Sequence, residues 1–239
     1  MSSNKILLIF DFDETIMDKD SVYEIARMTL SNEDYIKIME IEDEDYYDAF
    51  NYFFKKLKEI GLDLIKYNKY LKKLELSPKM NELFDYIKKN KSKYDLLILS
   101  GDIIYSIQYI LKYHGYLDLF SYFICNKADI QEENSERIIY VPRDQFPHNC
   151  DLCIASQCKG LELEKFLKDK KYEKIFFVCD GGNDFCPAKK IMKKADIVFP
   201  REGHRFLKRI KIENLKDELK CEIVPWKTGE DIINRLKQI

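Results

Sequence analysis

Apolar runs alternate with helical patterns along the chain. Four short apolar runs each stop at a small, acidic or proline residue, and segments with helical spacing lie between them. Unbroken apolar runs are typical of central parallel strands, which are covered on both faces. This alternation therefore predicts an α/β fold with a parallel sheet flanked by helices. The predicted strands are Lys5–Phe10, Tyr94–Leu99, Lys174–Cys179 and Ala195–Phe199, and the clearest helices are Met80–Lys89, Ile103–Tyr113 and Leu161–Lys168.

The segment between the first two predicted strands has a different texture. Residues 18–76 are rich in Tyr, Asp, Glu and Lys, contain a single Gly and no Pro, and show helical spacing. We interpret them as a helical cap inserted after the first strand. Pro78 suits the first turn of a helix and marks the return to the core. The predicted domains are a core of residues 1–17 and 77–239 and a cap of residues 18–76.

Composition and charge narrow the classes of partner and location. Hydrophobic residues make up 46% of the chain, which is enough for a folded core. The 40 basic and 42 acidic residues nearly balance, so no electrostatic feature predicts a nucleic-acid partner. No apolar segment is long enough to predict a membrane span or an export signal. Seven cysteines, an odd number, then favour a reducing, cytoplasmic location.

Two acidic residues follow the first predicted strand. The apolar run ILLIF ends at Asp11, and Asp13 comes two positions later. The side-chain period of a strand places both carboxylates on one side and Phe12 on the other. Two like charges this close require a cation or a shared proton. Because open α/β sheets bind ligands at the carboxyl ends of their strands, this pair predicts a functional site.

Two more groups of polar residues occupy comparable positions, and a single lysine lies between them in the sequence. Ser100-Gly101-Asp102 follows the second strand, DGGND at Asp180–Asp184 follows the third, and Lys159 stands between them. With Asp11-x-Asp13-x-Thr15 this ordered set resembles the four motifs of the haloacid dehalogenase superfamily. The stretches DFDETIMDKDS, HNCDLCIASQCKG, DGGNDFCP, FPREG and VPWKTGEDI resemble the eukaryotic phosphoethanolamine/phosphocholine phosphatases and the related pyridoxal phosphate phosphatases.

The resemblance covers essentially the whole chain and implies both a fold and an activity. It implies a Rossmann-like core with a helical cap, and hydrolysis of a small phosphomonoester through an aspartyl-phosphate intermediate. Asp11 would be the nucleophile, and Asp13 the general acid and base. Ser100 and Lys159 would bind the phosphate, with Gly101 beside the substrate.

The same resemblance implies Mg²⁺ as the cofactor, because the anionic substrate must approach a carboxylate. Asp11, the backbone carbonyl of Asp13, and Asp180 would be ligands, and Asp184 would orient a ligand or the lysine. Asp184 also suits a simple turn. Thr15 either caps the next helix or hydrogen-bonds within the loop.

A second cluster, His148-x-Cys150-x-x-Cys153-x-x-x-x-Cys158, has the residue types of a tetrahedral zinc site. Structural Zn²⁺ would anchor the loop that carries Lys159. Buried free thiols are an equally open alternative. A disulfide is disfavoured by the predicted compartment. His204, by contrast, is interpreted as an ordinary surface or helix-end residue.

At two positions the sequence differs from the family that it resembles, and both positions affect the expected substrate. Where that family carries aspartates, placed to receive a substrate ammonium group, this chain has Val22 and Gly101. We therefore expect a neutral or less cationic substrate, with pyridoxal phosphate as one candidate. Tyr23 and Tyr105, or Asp102, are alternative partners for a cation.

Two other functions remain open from the sequence. A phosphoserine-phosphatase-like enzyme would use Glu24, in the first predicted cap helix, to meet a substrate amine. A non-catalytic regulator that binds phosphate or Mg²⁺ belongs to a different class, but it would not need an acid–base group at Asp13.

Overall fold

The computed structural model describes residues 5–133, 136–142, 145–153 and 157–239. No helix in these ranges is both long and apolar enough to cross a membrane. The strands are β1 (Ile6–Phe10), β2 (Tyr94–Ile103), β3 (Phe120–Asn126), β4 (Asp129–Glu133), β5 (Glu136–Tyr140), β6 (Lys174–Cys179), β7 (Ile197–Pro200) and β8 (Glu222–Ile223). The α-helices are α1 (Ser21–Thr29), α2 (Asn32–Glu44), α3 (Tyr46–Glu59), α4 (Leu64–Leu71), α5 (Met80–Lys89), α6 (Ile104–Tyr113), α7 (Lys159–Leu167), α8 (Phe185–Lys190), α9 (Arg205–Ile212) and α10 (Gly229–Leu236).

Six strands form one sheet in the order β3-β2-β1-β6-β7-β8. Every pairing in this sheet is parallel, which confirms the predicted fold class. The chain runs outward from β1 through β2 and β3, then crosses to β6 and runs outward through β7 and β8. The reversal lies between β1 and β6, the position at which open α/β sheets form a ligand crevice. β4 and β5 form a separate antiparallel pair.

Alternation along β1 divides the hydrophobic core between the two faces of the sheet. Leu8 and Phe10 pack into one cluster, and Leu7 and Ile9 pack into the other. All four side chains are fully buried, as expected for a central strand covered on both faces. The unbroken apolar run that precedes Asp11 therefore contributes side chains to the hydrophobic clusters on both faces of the sheet.

Helices α1 to α4 lie in the segment predicted as a cap. Met17 and Leu76 form an antiparallel bridge, which brings the two ends of this segment together. Phe53 and Tyr67 from the segment pack into the same hydrophobic cluster as Phe84 of α5. The division into a core of residues 1–17 and 77–239 and a cap of residues 18–76 stays a prediction.

Candidate active site

Three neighbouring parallel strands bring their carboxyl ends to one edge of the sheet. Asp11 and Asp180 immediately follow β1 and β6, and the Asp11 amide donates to the Val178 carbonyl at 3.0 Å. Ser100 lies in the last part of β2, where the pairing with β3 becomes irregular. Its side chain is almost fully buried, and its Oγ accepts a hydrogen bond from the Asp102 amide at 3.1 Å. The strand-end residues selected from the sequence thus share one edge.

Lys159 joins two of these carboxylates. Its Nζ lies 2.5 Å from Asp11 Oδ2 and 2.7 Å from Asp184 Oδ1. The lysine is only 1% exposed, and a buried ammonium is stable only when it is paired. Burial lowers the pKa of Lys159, but Asp11 and Asp184 outweigh it and raise the pKa above its ordinary value. The side chain therefore keeps a positive charge at the site.

Carboxylate oxygens of Asp11, Asp180 and Asp184 all lie within 4.8 Å of one another. The Thr15 hydroxyl donates to Asp180 Oδ1 at 3.1 Å, and the Gly181 amide donates to Asp184 Oδ2 at 2.8 Å. Burial raises the pKa of both Asp180 and Asp184, a cost that a bound cation would offset. Hard oxygen donors at this spacing suit Mg²⁺. The Asp13 carboxylate is not part of this group, and the backbone carbonyl of Asp13 stays a predicted ligand.

The Asp13 carboxylate instead accepts a hydrogen bond from the Ser21 amide at 2.8 Å. Burial, together with the charges of Asp102 and Asp20, raises the pKa of Asp13 well above its ordinary value. A carboxyl group in this environment can carry a proton near neutral pH, which a general acid requires. Phe12 is fully buried in the hydrophobic core, whereas Asp11 and Asp13 both line the cleft, as the strand period predicts.

Comparison with known proteins decides the family. A family model described as "Putative Phosphatase" matches residues 6–239. The human pyridoxal phosphate phosphatase PHOSPHO2 is 30% identical, with 98% of each chain covered. The human phosphoethanolamine/phosphocholine phosphatase is 28% identical, over 98% of this chain and 89% of that protein. The chain belongs to this phosphatase family.

The fold of this phosphatase also has a solved counterpart. A structure of phosphoserine phosphatase in its apo form aligns with a TM-score of 0.59 and 20% identity, and covers 96% of this chain and 98% of that one. The likeness supports the haloacid dehalogenase fold that the motifs imply. The phosphatase is accordingly a phosphomonoester hydrolase of that superfamily.

The active-site cleft of the phosphatase is strongly acidic. It has a volume of about 820 Å³, a size that suits a small metabolite. Besides the strand-end residues, Tyr46 and Glu42 from the cap segment reach it. The lining residues are Asp11, Asp13, Glu14, Asp20, Glu42, Tyr46, Ser100, Gly101, Asp102, Asp151, Leu152, Cys153, Gln157, Lys159, Asp180, Gly181, Gly182, Asn183, Arg205, Arg209 and Glu213.

The structure shows the surroundings of the two positions at which this chain lacks the family's aspartates. Val22 is 6% exposed and packs in the hydrophobic core rather than in the cleft. Gly101 does line the cleft, but a Cβ there would lie 3.0 Å from the Tyr46 hydroxyl, which donates to the Gly101 carbonyl. The cleft nevertheless contains Asp20 and Asp102, so the absence of carboxylates at positions 22 and 101 no longer argues for a less cationic substrate.

Asp102 and Asp20 are acids whose environment disfavours their charge. The Ser21 hydroxyl donates to Asp102 Oδ2 at 3.1 Å, and the Ile103 amide donates to Oδ1 at 2.6 Å. Burial, with a contribution from Asp20, nevertheless raises the pKa of Asp102 to about 7. Burial and the charge of Glu14 raise the pKa of Asp20 to about 7 as well. A cation in the cleft would stabilise the charged form of both carboxyl groups.

Several residues around Asp180 were not predicted from the sequence to belong to the site. His204 Nδ1 lies 3.7 Å from Asp180 Oδ2 and 3.8 Å from Glu14 Oε2, and these two neighbours raise the pKa of His204 to about 9. Arg201 Nη1 donates to the Glu14 carbonyl at 2.8 Å. A signal was available, because FPREGHR follows a short apolar strand in the same way as the other motifs do.

The structure also changes the membership of the predicted zinc cluster. The four groups that converge are Cys150, Cys153, Cys158 and Cys186, called here the thiol cluster. His148 lies outside it, and its Nδ1 accepts a hydrogen bond from the Cys150 amide at 3.2 Å. Cys186 is carried by α8, on the far side of β6 in sequence. No sequence spacing within HNCDLCIASQC could have revealed it.

Proposed function

We propose that this phosphatase hydrolyses a small phosphomonoester in a Mg²⁺-dependent reaction that passes through a phosphorylated Asp11. The observation that carries the proposal is the contrast between the two aspartates after β1. Asp11 contacts the Lys159 cation, whereas burial and the nearby carboxylates of Asp102 and Asp20 raise the pKa of Asp13 well above its ordinary value. One carboxylate is thereby available for attack and the other for proton transfer.

The reaction follows from these positions. Asp11 attacks phosphorus, the ester P–O bond breaks, and Asp13 gives its proton to the leaving oxygen. Water then attacks the aspartyl phosphate while Asp13 takes one of its protons, which releases phosphate and restores Asp11. Lys159 and Ser100 hold the phosphoryl oxygens. Asp11, Asp180 and Asp184 would hold Mg²⁺, which neutralises negative charge on the substrate when bound.

Substitution of Asp11 tests the proposal. Asp11→Asn should lower kcat by at least ~10³-fold, as for other catalytic nucleophiles, while circular dichroism and Tm show a folded protein. Asp95→Asn is a suitable control, because Asp95 lies at the opposite end of β2 and pairs with Lys5. Mass spectrometry of rapidly quenched wild-type enzyme should find phosphate on the peptide that contains Asp11. Near-normal turnover by Asp11→Asn would refute the assignment.

We further propose that the leaving group of the substrate carries a positive charge. Asp20, Asp102 and Glu42 line the cleft beside the phosphate-binding residues. Asp102 is buried and Asp20 is partly buried, and the surroundings of both raise their pKa to about 7. The names of the relatives include phosphocholine, phosphoethanolamine and pyridoxal phosphate. The nitrogen of phosphocholine is always cationic, and the nitrogens of the other two compounds are cationic when protonated. A cation among these carboxylates gains favourable electrostatic energy, most of all beside the buried Asp102.

A matched pair of substrates tests this proposal. Phosphocholine and its uncharged analogue, in which a tert-butyl group replaces the trimethylammonium group, have nearly equal size. We expect kcat/KM to favour phosphocholine by roughly tenfold or more, equivalent to about 1.4 kcal/mol. Asp102→Asn should reduce this ratio and leave kcat/KM for the uncharged analogue almost unchanged. Equal kcat/KM values for the two substrates would contradict the charge proposal without affecting the assignment of Asp11.

The alternatives gain less support. Glu24, which a phosphoserine-phosphatase-like site would use, pairs with Lys19 at 3.3 Å and Arg27 at 3.1 Å and lines a separate surface depression. A non-catalytic regulator has no need for an acid–base group at Asp13. A reducing, cytoplasmic location stays our proposal, supported by seven cysteines that form no disulfide.

A further inference from the structure

Four thiols from two separate segments meet beside the active site. Cys150, Cys153 and Cys158 precede α7, and Cys186 lies in the first turn of α8. Their four Sγ atoms all lie within 4.8 Å of one another. The Cys186 sulfur is 3.7 Å from the sulfurs of Cys150 and Cys158, well beyond disulfide bonding distance.

These distances match the coordination shell of a metal ion. Four sulfurs placed about 2.3 Å from a tetrahedral Zn²⁺ are separated from one another by about 3.8 Å. We propose that the thiol cluster binds one structural Zn²⁺ ion through Cys150, Cys153, Cys158 and Cys186. Four protein ligands close the coordination shell, so this ion has no position for substrate or water and takes no part in the chemistry.

The surroundings of the sulfurs favour thiolates over simply buried thiols. Lys190 Nζ lies 3.1 Å from Cys150 Sγ, and the Leu161 amide lies 3.3 Å from Cys158 Sγ. Hydrogen-bond donors and a positive charge directed at sulfur are what a metal–thiolate site needs around its ligands. Cys150 and Cys153 are moreover only half-buried, whereas cysteines that act as small hydrophobic residues are usually fully buried.

The cluster connects the two segments that position the active-site ion pair. Cys158 is the residue before Lys159, and Cys186 is two residues after Asp184. The segments touch directly, because a Cβ on Gly160 would lie 2.6 Å from Cys186 Sγ. A metal ion bound there would fix the start of α7 against the start of α8. The bond between Lys159 and Asp184 would then be held from both sides.

The cluster also shapes the wall of the cleft. Leu152 and Cys153 line the cleft, and the Leu152 carbonyl accepts a hydrogen bond from Arg209 Nη1 at 3.0 Å. The same guanidinium nitrogen donates to the Gly182 carbonyl at 2.8 Å. The loop of residues 150–153 is therefore attached to the Asp180–Asp184 motif twice, once through Arg209 and once through the sulfurs.

Metal analysis of purified variants tests the proposal. Full-length protein, purified under reducing conditions without chelators, should contain about one zinc per chain. Cys186→Ser should lose that zinc, whereas His148→Ala and Cys221→Ser should retain it. Cys221 is a matched control, because it is a buried cysteine just before β8 that does not belong to the thiol cluster. The sequence spacing predicts His148 as a zinc ligand, whereas the structure places it outside the thiol cluster. The zinc content of His148→Ala therefore distinguishes the two ligand sets.

A spectroscopic test does not depend on the folding of any variant. Co²⁺ exchanged into the wild-type protein should give the intense visible absorption of tetrahedral thiolate coordination, and Zn²⁺ should displace it. Wild-type protein without bound zinc and without this cobalt spectrum would overturn the proposal. Retention of zinc by Cys186→Ser, together with its loss from His148→Ala, would overturn it as well. Removal of the ion should also lower Tm, and added Zn²⁺ should restore it.

Discussion

Asp11 and Asp13 are chemically identical residues, yet their neighbours give them different properties. Asp11 accepts hydrogen bonds from Lys159 and from the Phe12 amide at 2.7 Å. Burial, together with the negative charges of Asp102 and Asp20, raises the pKa of Asp13 and favours its protonated form. Pairs of titratable groups in opposed environments are typical of acid–base catalysis. The contrast between these two residues yields a test of the second step of the reaction.

Asp13→Asn should slow hydrolysis of alkyl phosphates by ~10²–10⁴-fold, because the leaving oxygen loses its proton donor. p-Nitrophenolate leaves without a proton, so this ester should still phosphorylate Asp11. The later attack of water should then be slow. Stopped-flow measurements should show a burst of p-nitrophenolate close to one equivalent of enzyme. Equal losses for both kinds of ester, without a burst, would show that Asp13 is not the acid.

The environment of Asp102 makes a prediction about stability and pH. Its pKa of about 7 in the folded protein lies above the ordinary value of 3.8, so the folded state binds this proton more tightly than the unfolded state. The contribution of Asp102 to stability is therefore fully present below about pH 4 and is lost as the pH rises through 7. Because asparagine does not ionise, the Asp102→Asn variant should not lose this stability as the pH rises.

We expect Asp102→Asn to raise Tm relative to wild type at pH 8 by at least about 2 °C, the change that 1 kcal/mol produces in a chain of this size. At pH 5 the difference should be clearly smaller, because Asp102 is then protonated in the folded state. Differential scanning calorimetry at both pH values measures it, with Asp95→Asn as the control. The same gain at both pH values would mean that a charge on Asp102 does not destabilise the fold. The raised stability would accompany the loss of substrate preference described above.

Helices and strands differ in how well their limits could be predicted. The bounds of α5 and β6 agree with the sequence pattern, because each has strong apolar periodicity and clear flanking residues. β3, at the edge of the sheet, was missed, because its sequence FSYFICN mixes polar and aromatic positions. The start of α7 was placed two residues late. Its N-cap is the Cys158 thiol, which accepts from the Leu161 amide, rather than one of the usual capping residues.

The docking of α10 onto the chain near α5 makes a prediction for one glycine. The Gly229 amide donates to the Pro78 carbonyl at 2.9 Å, and a Cβ on Gly229 would lie 2.1 Å from the Lys79 carbonyl oxygen. Gly229→Ala should therefore destabilise the protein by about 1–3 kcal/mol, as other overpacked sites do. Urea denaturation measures the change. Glu230→Ala is the control, because it removes only an exposed ion pair with Lys79. Equal stability of Gly229→Ala and wild type would show that α10 can shift freely.

The complete site is assembled from distant parts of the chain. Lys159 and Asp11 are 148 positions apart in the sequence. Asp11 could be predicted from its place at the end of a parallel strand, and Lys159 from the resemblance to the family's motifs. Tyr46, Glu42 and Cys186 could not, because their positions depend on how helices pack rather than on any local pattern. For the same reason the sequence could not show that Asp102, rather than the residue at 101, supplies a carboxylate to the cleft.

The cluster of Asp11, Asp180 and Asp184 should make activity depend on Mg²⁺. Chelation with EDTA should abolish turnover, and added Mg²⁺ should restore it. Ca²⁺ should restore little, because it is larger and takes more ligands. Mg²⁺ should also raise Tm of the resting protein, since it binds only the folded state. Zinc content measured before and after chelation is the control for the thiol cluster. Full turnover after exhaustive chelation would refute the prediction.

The central place of β1 in the sheet has a consequence for synthesis of the protein on the ribosome. β1 is the first strand to emerge, but its neighbours β2 and β6 begin only at residues 94 and 174. One edge of an entirely apolar strand therefore stays open until three quarters of the chain has been translated. Exposed apolar strand edges pair readily with other chains. We expect nascent chains that stop before β6 to bind chaperones or aggregate, and chains released after α10 to fold.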